Sequence, residues 1–147
     1  MNMSGEGCEH TRLVLDHKNR TKMVMNTIKD LREYDFDSIV CCGTSGLLVA
    51  PQVCEILNKE IVVVRKDHEK RYSPFIIEGV LGSRFIFLDD LVCSGATLKY
   101  VIKNLKEEHP YAKCLGAYCY MKDKCGYKNA PDIFYKEFGI DYLNHSL

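Results

Sequence analysis

Phe85-Ile86-Phe87-Leu88-Asp89-Asp90-Leu91-Val92-Cys93-Ser94-Gly95-Ala96-Thr97 packs three kinds of sequence into one short stretch. Four apolar residues read as a buried strand, two adjacent carboxylates follow, and a run of small residues leads into a helix. Two carboxylates at a strand end are costly unless a cation or hydroxyl groups meet them. Cys93–Thr97 supplies small residues, a glycine and two hydroxyls at the helix N-terminus. Free backbone N–H groups and the positive end of the helix dipole make such a place suitable for a phosphate. An acid pair beside a phosphate cradle suits a ligand with a phosphate at one end and a diol or metal-bound group nearby, and a sugar phosphate fits. Taken alone, Ser94 and Thr97 read as well as a helix cap, and the acid pair as a polar strand exit. The complete string favours the ligand.

Strand and helix alternate outward from this stretch. Asp37–Gly43 and Glu60–Arg65 read as buried strands, the second rich in β-branched residues. Leu47–Leu57 and Ala96–Glu107 read as helices with apolar faces, and Asn19–Tyr34 as an amphipathic helix. Thr11–Leu15 is a short apolar run expected to form an edge strand. Phe75–Val80 is expected as a short strand, Ala112–Met121 as the last strand, and His68–Ser73 as a loop. Strands that are apolar throughout are buried on both faces, which means a mostly parallel sheet covered by helices, an α/β fold. In such sheets ligands bind beyond the carboxyl ends of the strands.

Composition limits the alternatives. The 147 residues are enough for one domain, and no repeat or linker divides them. Twenty basic residues balance twenty acidic ones, which argues against a general basic field for nucleic acid. No apolar run reaches the roughly 20 residues of a membrane span, and Met1–His10 has no apolar core of a secretory signal. Eight cysteines, several inside apolar runs such as Ile39-Val40-Cys41-Cys42, read as buried reduced thiols of a cytoplasmic protein. Zinc needs a matched second ligand pair, which neither Cys8 with His10 nor Cys119 with Cys125 has.

Residues 85–97 resemble the ribose-phosphate signature of the type I phosphoribosyltransferases: four apolar residues, two acids, two apolar residues and a small hydroxyl- and glycine-rich loop. Cys93 departs from it, standing where the family usually has Thr, Ser or Ala. Ile39–Ala50 is similar to the family's strand, diphosphate loop and helix. Glu60–Lys66 looks like its next strand, ending in a basic pair, and Ile77-Glu78-Gly79 like the segment after its mobile catalytic loop. The resemblance covers about residues 35–121. It implies a central mostly parallel sheet flanked by helices, in a single domain over residues 1–147, with a small hood that holds the nucleobase. Residues 122–147, and with them residues 1–17, are where that hood is expected.

The resemblance implies roles position by position. Asp89 and Asp90 would bind the ribose hydroxyls, directly or through Mg2+. Cys93, Ser94, Gly95, Ala96 and Thr97 would hold the 5′-phosphate of phosphoribosyl diphosphate (PRPP). Thr44, Ser45 and Gly46 would meet the diphosphate, with Arg65 and Lys66 beside it. His68–Ser73 would be the lid, where Lys70 or Arg71 joins Lys66 in stabilising the departing diphosphate. The orotate enzymes have a lid reading Arg-Lys-x-x-Lys-x-His. Here Glu69 and Arg71 fill its last two positions, which points away from orotate and towards a purine-like base. The activity implied is Mg2+-dependent transfer of the phosphoribosyl group from PRPP to a nucleobase. The alternative is a regulatory module of the same fold that binds PRPP or a nucleotide without turnover. A homodimer is expected from the family alone.

Weaker signals surround this core. Gly43-Thr44-Ser45-Gly46-Leu47 approaches the hydrolase elbow G-x-S-x-G, but its last position is Leu47 and no acid–histidine order accompanies it. Lys122 and Tyr120, at the end of the last strand, are candidates for base contact, since a lysine there reads the base in purine-type members. Against that, Lys122 reads equally as a solvated surface residue, and the tail aromatics as core. His68 has a functional reading through its place on the lid.

Overall fold

The computed structural model describes residues 9–66, 74–92, 95–121, 136 and 139–144. In chain order the elements are α1 (Glu9–Leu15), α2 (His17–Leu31), β1 (Ser38–Cys41), α3 (Thr44–Leu47), α4 (Ala50–Leu57), β2 (Glu60–Val64), β3 (Ile77–Glu78), β4 (Arg84–Asp89), α5 (Ala96–Glu108) and β5 (Lys113–Cys119). The five strands form one sheet in the order β3-β2-β1-β4-β5. Every pairing is parallel except that of β2 with the short β3. This is the mostly parallel sheet expected from the apolar strands.

Side chains alternate across each strand and divide the core in two. On one face Val40, Val62, Phe85 and Phe87 pack under Leu98, Val101, Ile102 and Leu105 of α5. On the other, Ile39, Cys41, Ile86 and Leu88 meet Met23, Val24 and Leu31 of α2 and Val53 and Cys54 of α4. Both faces of Ile39–Cys41 and Phe85–Leu88 are therefore dry, which is why these stretches of β1 and β4 are apolar without a break.

Thr11–Leu15 is a helix rather than the expected edge strand. Of its apolar residues Val14 is fully buried, while Leu13 and Leu15 are exposed. The carbonyls at the helix end are taken up by Arg20, whose Nη1 donates to Leu15 O at 2.9 Å and Val14 O at 3.4 Å. Asp16 then starts α2, its carboxylate accepting from the Asn19 N–H at 3.0 Å. The N-cap three residues before Asn19 is the signal that separates two helices here. The expected helix over Leu47–Leu57 is two pieces, α3 and α4, broken at Val49.

The C-terminal stretch continues the sheet. Ala117 N–H donates to Asp141 O and Leu143 N–H to Ala117 O, each at 2.9 Å, so Tyr142 bridges Ala117 in parallel. Ile140 and Leu143 are buried against the core. Residues 139–144 of the expected hood thus lie along the edge of β5, because their apolar side chains find the core there.

Asp37 anchors the start of β4. Its Oδ2 accepts from the Arg84 N–H at 2.9 Å, the Ser83 N–H at 2.9 Å and the Ser83 hydroxyl at 3.1 Å. These bonds, the Arg84 N–H foremost, hold its carboxyl below the ordinary value. A pKa lowered by folding gives stability that is present above the ordinary value and lost as pH falls through the lowered one. Asp37→Ala is expected to flatten the acid side of the stability curve measured by urea melts. Identical acid slopes in the variant and the wild type would contradict this.

Candidate active site

The carboxyl ends of β1, β2 and β4 open on one cavity of about 280 Å3. The sheet order places β1 between β2 and β4, so the chain leaves β1 one way and reaches β4 on the other side. A crevice forms at such a switch point. Gly43, Thr44 and Ser45 line it after β1, Lys66 after β2, and Asp89, Asp90, Leu91 and Val92 after β4. Gly95, Ala96, Thr97 and Leu98, at the start of α5, complete the opposite wall.

The acid pair is held by its backbone. Tyr120 N–H donates to Asp89 O at 3.1 Å and Met121 N–H to Asp90 O at 2.9 Å, carrying the β4–β5 pairing past the last ladder residues. Asp89 Oδ1 accepts from the Asp90 N–H at 2.9 Å, and Asp90 Oδ1 from the Leu91 N–H at 2.7 Å. Asp90 is 7% exposed. Burial first, and then the neighbouring Asp90 charge, push the Asp89 carboxyl well above its ordinary value; Lys66 opposes them. A pocket that makes a carboxylate this uncomfortable favours a cation or hydroxyl donors beside it.

Two glycines shape the walls. Gly95, at φ 84°, turns the chain into α5 in the left-handed region that a side chain would strain. No described side chain caps α5, and Gly95–Leu98 at its start line the cavity, on the positive side of the helix dipole. Gly43 brings its backbone close to Lys66: a Cβ built there would stand 3.9 Å from Lys66 Nζ.

The structure brings together Asp89, Asp90, Lys66, Thr44, Ser45, Gly95, Ala96 and Thr97 around the cavity. Three expected residues sit elsewhere. Arg65 turns to the sheet edge, where its Nε meets Glu78 Oε1 at 3.1 Å. Consecutive residues leaving a strand point opposite ways, so Lys66 enters the cavity and Arg65 does not. Gly46 lies under the loop, packed on Leu88 O and Cys41. Tyr120 stands behind the loop rather than in the cavity, its hydroxyl donating to Ser45 O at 2.7 Å. Lys70, Arg71, Cys93, Ser94 and Lys122 lie outside the described residues, as does His68. Phe87 and Leu98, read from sequence only as core, also line the cavity; their place at the sheet's carboxyl end was the available signal.

The buried thiols are not reagents at neutral pH. Burial pushes Cys41 well up, and raises Cys54 to about 12 and Cys114 to about 11. Thiolate, the reactive form, is scarce at such values.

The family model for the phosphoribosyl transferase domain matches residues 10–144, and the chain belongs to that family. It is 35% identical over 100 residues to the transcriptional regulator GfcR of Methanocaldococcus jannaschii, a match covering 60% of this chain and 47% of that protein. It is 34% identical over 79 residues to an orotate phosphoribosyltransferase of Methanocorpusculum labreanum, covering 52% of this chain and 46% of the relative. In both cases the match spans about half the relative's length. The fold is also that of a solved phosphoribosyltransferase from Corynebacterium diphtheriae, with a TM-score of 0.67 at 20% identity over 90% of this chain and 80% of that one. No helix among the described residues is long and apolar enough to cross a membrane.

Proposed function

We propose that this chain transfers the 5-phosphoribosyl group from PRPP to a nucleobase, giving a nucleoside monophosphate and diphosphate, with a purine-like base preferred. The observation that carries this reading is one cavity lined by a buried acid pair, the start of a helix and a lysine. Gly95–Thr97 receive the 5′-phosphate, Asp89 and Asp90 the ribose hydroxyls, and Thr44, Ser45 and Lys66 the diphosphate. The C1′–O bond to diphosphate breaks as the C1′–N bond to the base forms, and the base nitrogen gives up its proton to the released diphosphate or to water. Negative charge grows on the leaving diphosphate, where Lys66 opposes it, while the carboxylates favour the positive ribosyl ring.

Mg2+ fits this donor set. No group of three or more ligating side chains occurs among the described residues, and Mg2+ is commonly held by one or two carboxylates plus substrate oxygens. Asp89 and Asp90 would hold it, where it would neutralise diphosphate charge. The preference for a purine-like base rests on Glu69 and Arg71 at the last two positions of the orotate-type lid pattern. We place the reaction in the cytoplasm and in a homodimer, on the family resemblance and the reduced cysteines.

A second reading is favoured by the similarity to a transcriptional regulator: the same cavity binds PRPP or a nucleotide without turnover. The test mixes the protein with Mg2+, PRPP and a panel of purines and pyrimidines, orotate included, and follows nucleotide formation by mass. A new nucleotide from a purine is expected. Product from orotate alone would overturn the base preference. PRPP binding without product from any base would favour the regulatory reading.

A further inference from the structure

We propose that Tyr120 is the positioning residue that holds Ser45 in place for the diphosphate of the ribosyl donor; this rests on the phosphoribosyl reading above. Tyr120 makes two connections at once. Its hydroxyl donates to Ser45 O at 2.7 Å, across 75 residues of sequence. Its backbone N–H donates to Asp89 O at 3.1 Å. One residue therefore ties the loop after β1 to the acid pair after β4, the two parts that must face opposite ends of the same ligand.

The peptide unit explains why a carbonyl contact matters for the loop. The peptide is planar and trans. Fixing Ser45 O therefore fixes the plane of the peptide that leaves Ser45, a residue of the cavity wall. The Gly46 Cα next to this peptide is closely backed: Leu88 O would lie 2.7 Å and Cys41 Sγ 2.9 Å from a Cβ there. The other backbone donor to Ser45 O, the Leu48 N–H, is long at 3.3 Å. α3 has only four residues and cannot hold its own direction by internal ladder bonds. Tyr120 is 9% exposed.

Tyr118 provides a matched control. It lies two residues earlier on β5, and its hydroxyl donates to Asp30 Oδ2 at 2.7 Å, away from the cavity. Tyr118→Phe and Tyr120→Phe remove the same atom from two residues of one core layer, one on β5 and one just past its end. Calorimetric titrations of both variants and the wild type would use PRPP with Mg2+ and, separately, ribose 5-phosphate, which lacks the diphosphate. Tyr120→Phe is expected to weaken PRPP about tenfold, the worth of one hydrogen bond, and to leave ribose 5-phosphate unchanged. Tyr118→Phe is expected to lower the melting temperature and leave both affinities alone. Equal weakening of both ligands by Tyr120→Phe, with a lowered melting temperature, would reduce Tyr120 to a structural role and overturn the proposal. Unchanged PRPP affinity in a folded Tyr120→Phe protein would overturn it while leaving the phosphoribosyl reading intact. A wild type that binds no PRPP would remove both.

Discussion

Asp89→Asn/Asp90→Asn loses affinity for PRPP by roughly 100-fold or more, because two charge-assisted interactions with the ribose hydroxyls or their metal disappear together. The same change has the opposite sign in the empty protein. Folding raises the Asp89 carboxyl above its ordinary value of 3.8, by burial and by the Asp90 charge. The folded chain then holds that proton more tightly than the unfolded chain. The associated stability is present below the ordinary value and is lost as pH rises through the raised one. Thermal melts with chelator present are therefore expected to show wild-type stability declining as pH rises above that ordinary value, with the double variant declining less. A variant that is less stable at every pH and still binds PRPP would refute both halves. The combination of weak binding and preserved stability is what separates a ligand site from a polar strand exit.

Gly46→Ala is expected to be the most damaging single-methyl change near the cavity. Its Cβ would fall 2.7 Å from Leu88 O and 2.9 Å from Cys41 Sγ. The first neighbour is the backbone of β4, which is paired on both sides and cannot rotate away. Overpacking of this kind costs about 3 kcal/mol, roughly a 10 °C drop in Tm for a domain of this size. Gly139→Ala is the comparison: a Cβ there meets nothing within 4 Å, and only its φ of 64° resists the change. It should cost about 1 kcal/mol. Calorimetric scans of the two variants decide the matter, and equal Tm values would show that the β1 loop can retreat from β4.

The string from Phe85 to Thr97 was legible because each part obeys a local rule. A strand buried on both faces must be apolar, carboxylates at its end need a partner, and a glycine with small residues leads readily into a helix. The parallel sheet followed from the same apolar strands. Contacts made across the fold were not legible. Nothing local in Ala117-Tyr118-Cys119-Tyr120 tells that one phenol meets Asp30 and the other Ser45, since both are set by how helices and loops settle over the sheet. Arg65 and Lys66 look alike in sequence, and the pleat at the end of β2 sends one to Glu78 and the other to the cavity. Thr11–Leu15 misled because a short apolar run fits a strand or a helix, and only the cap at Asp16 and the reach of Arg20 decide between them.

The most direct measurement is a calorimetric titration of the wild-type protein with PRPP, with and without Mg2+. One binding site per chain is predicted, strengthened by Mg2+ and lost in Asp89→Asn/Asp90→Asn. A wild type that takes up no PRPP under either condition would contradict the account of the cavity.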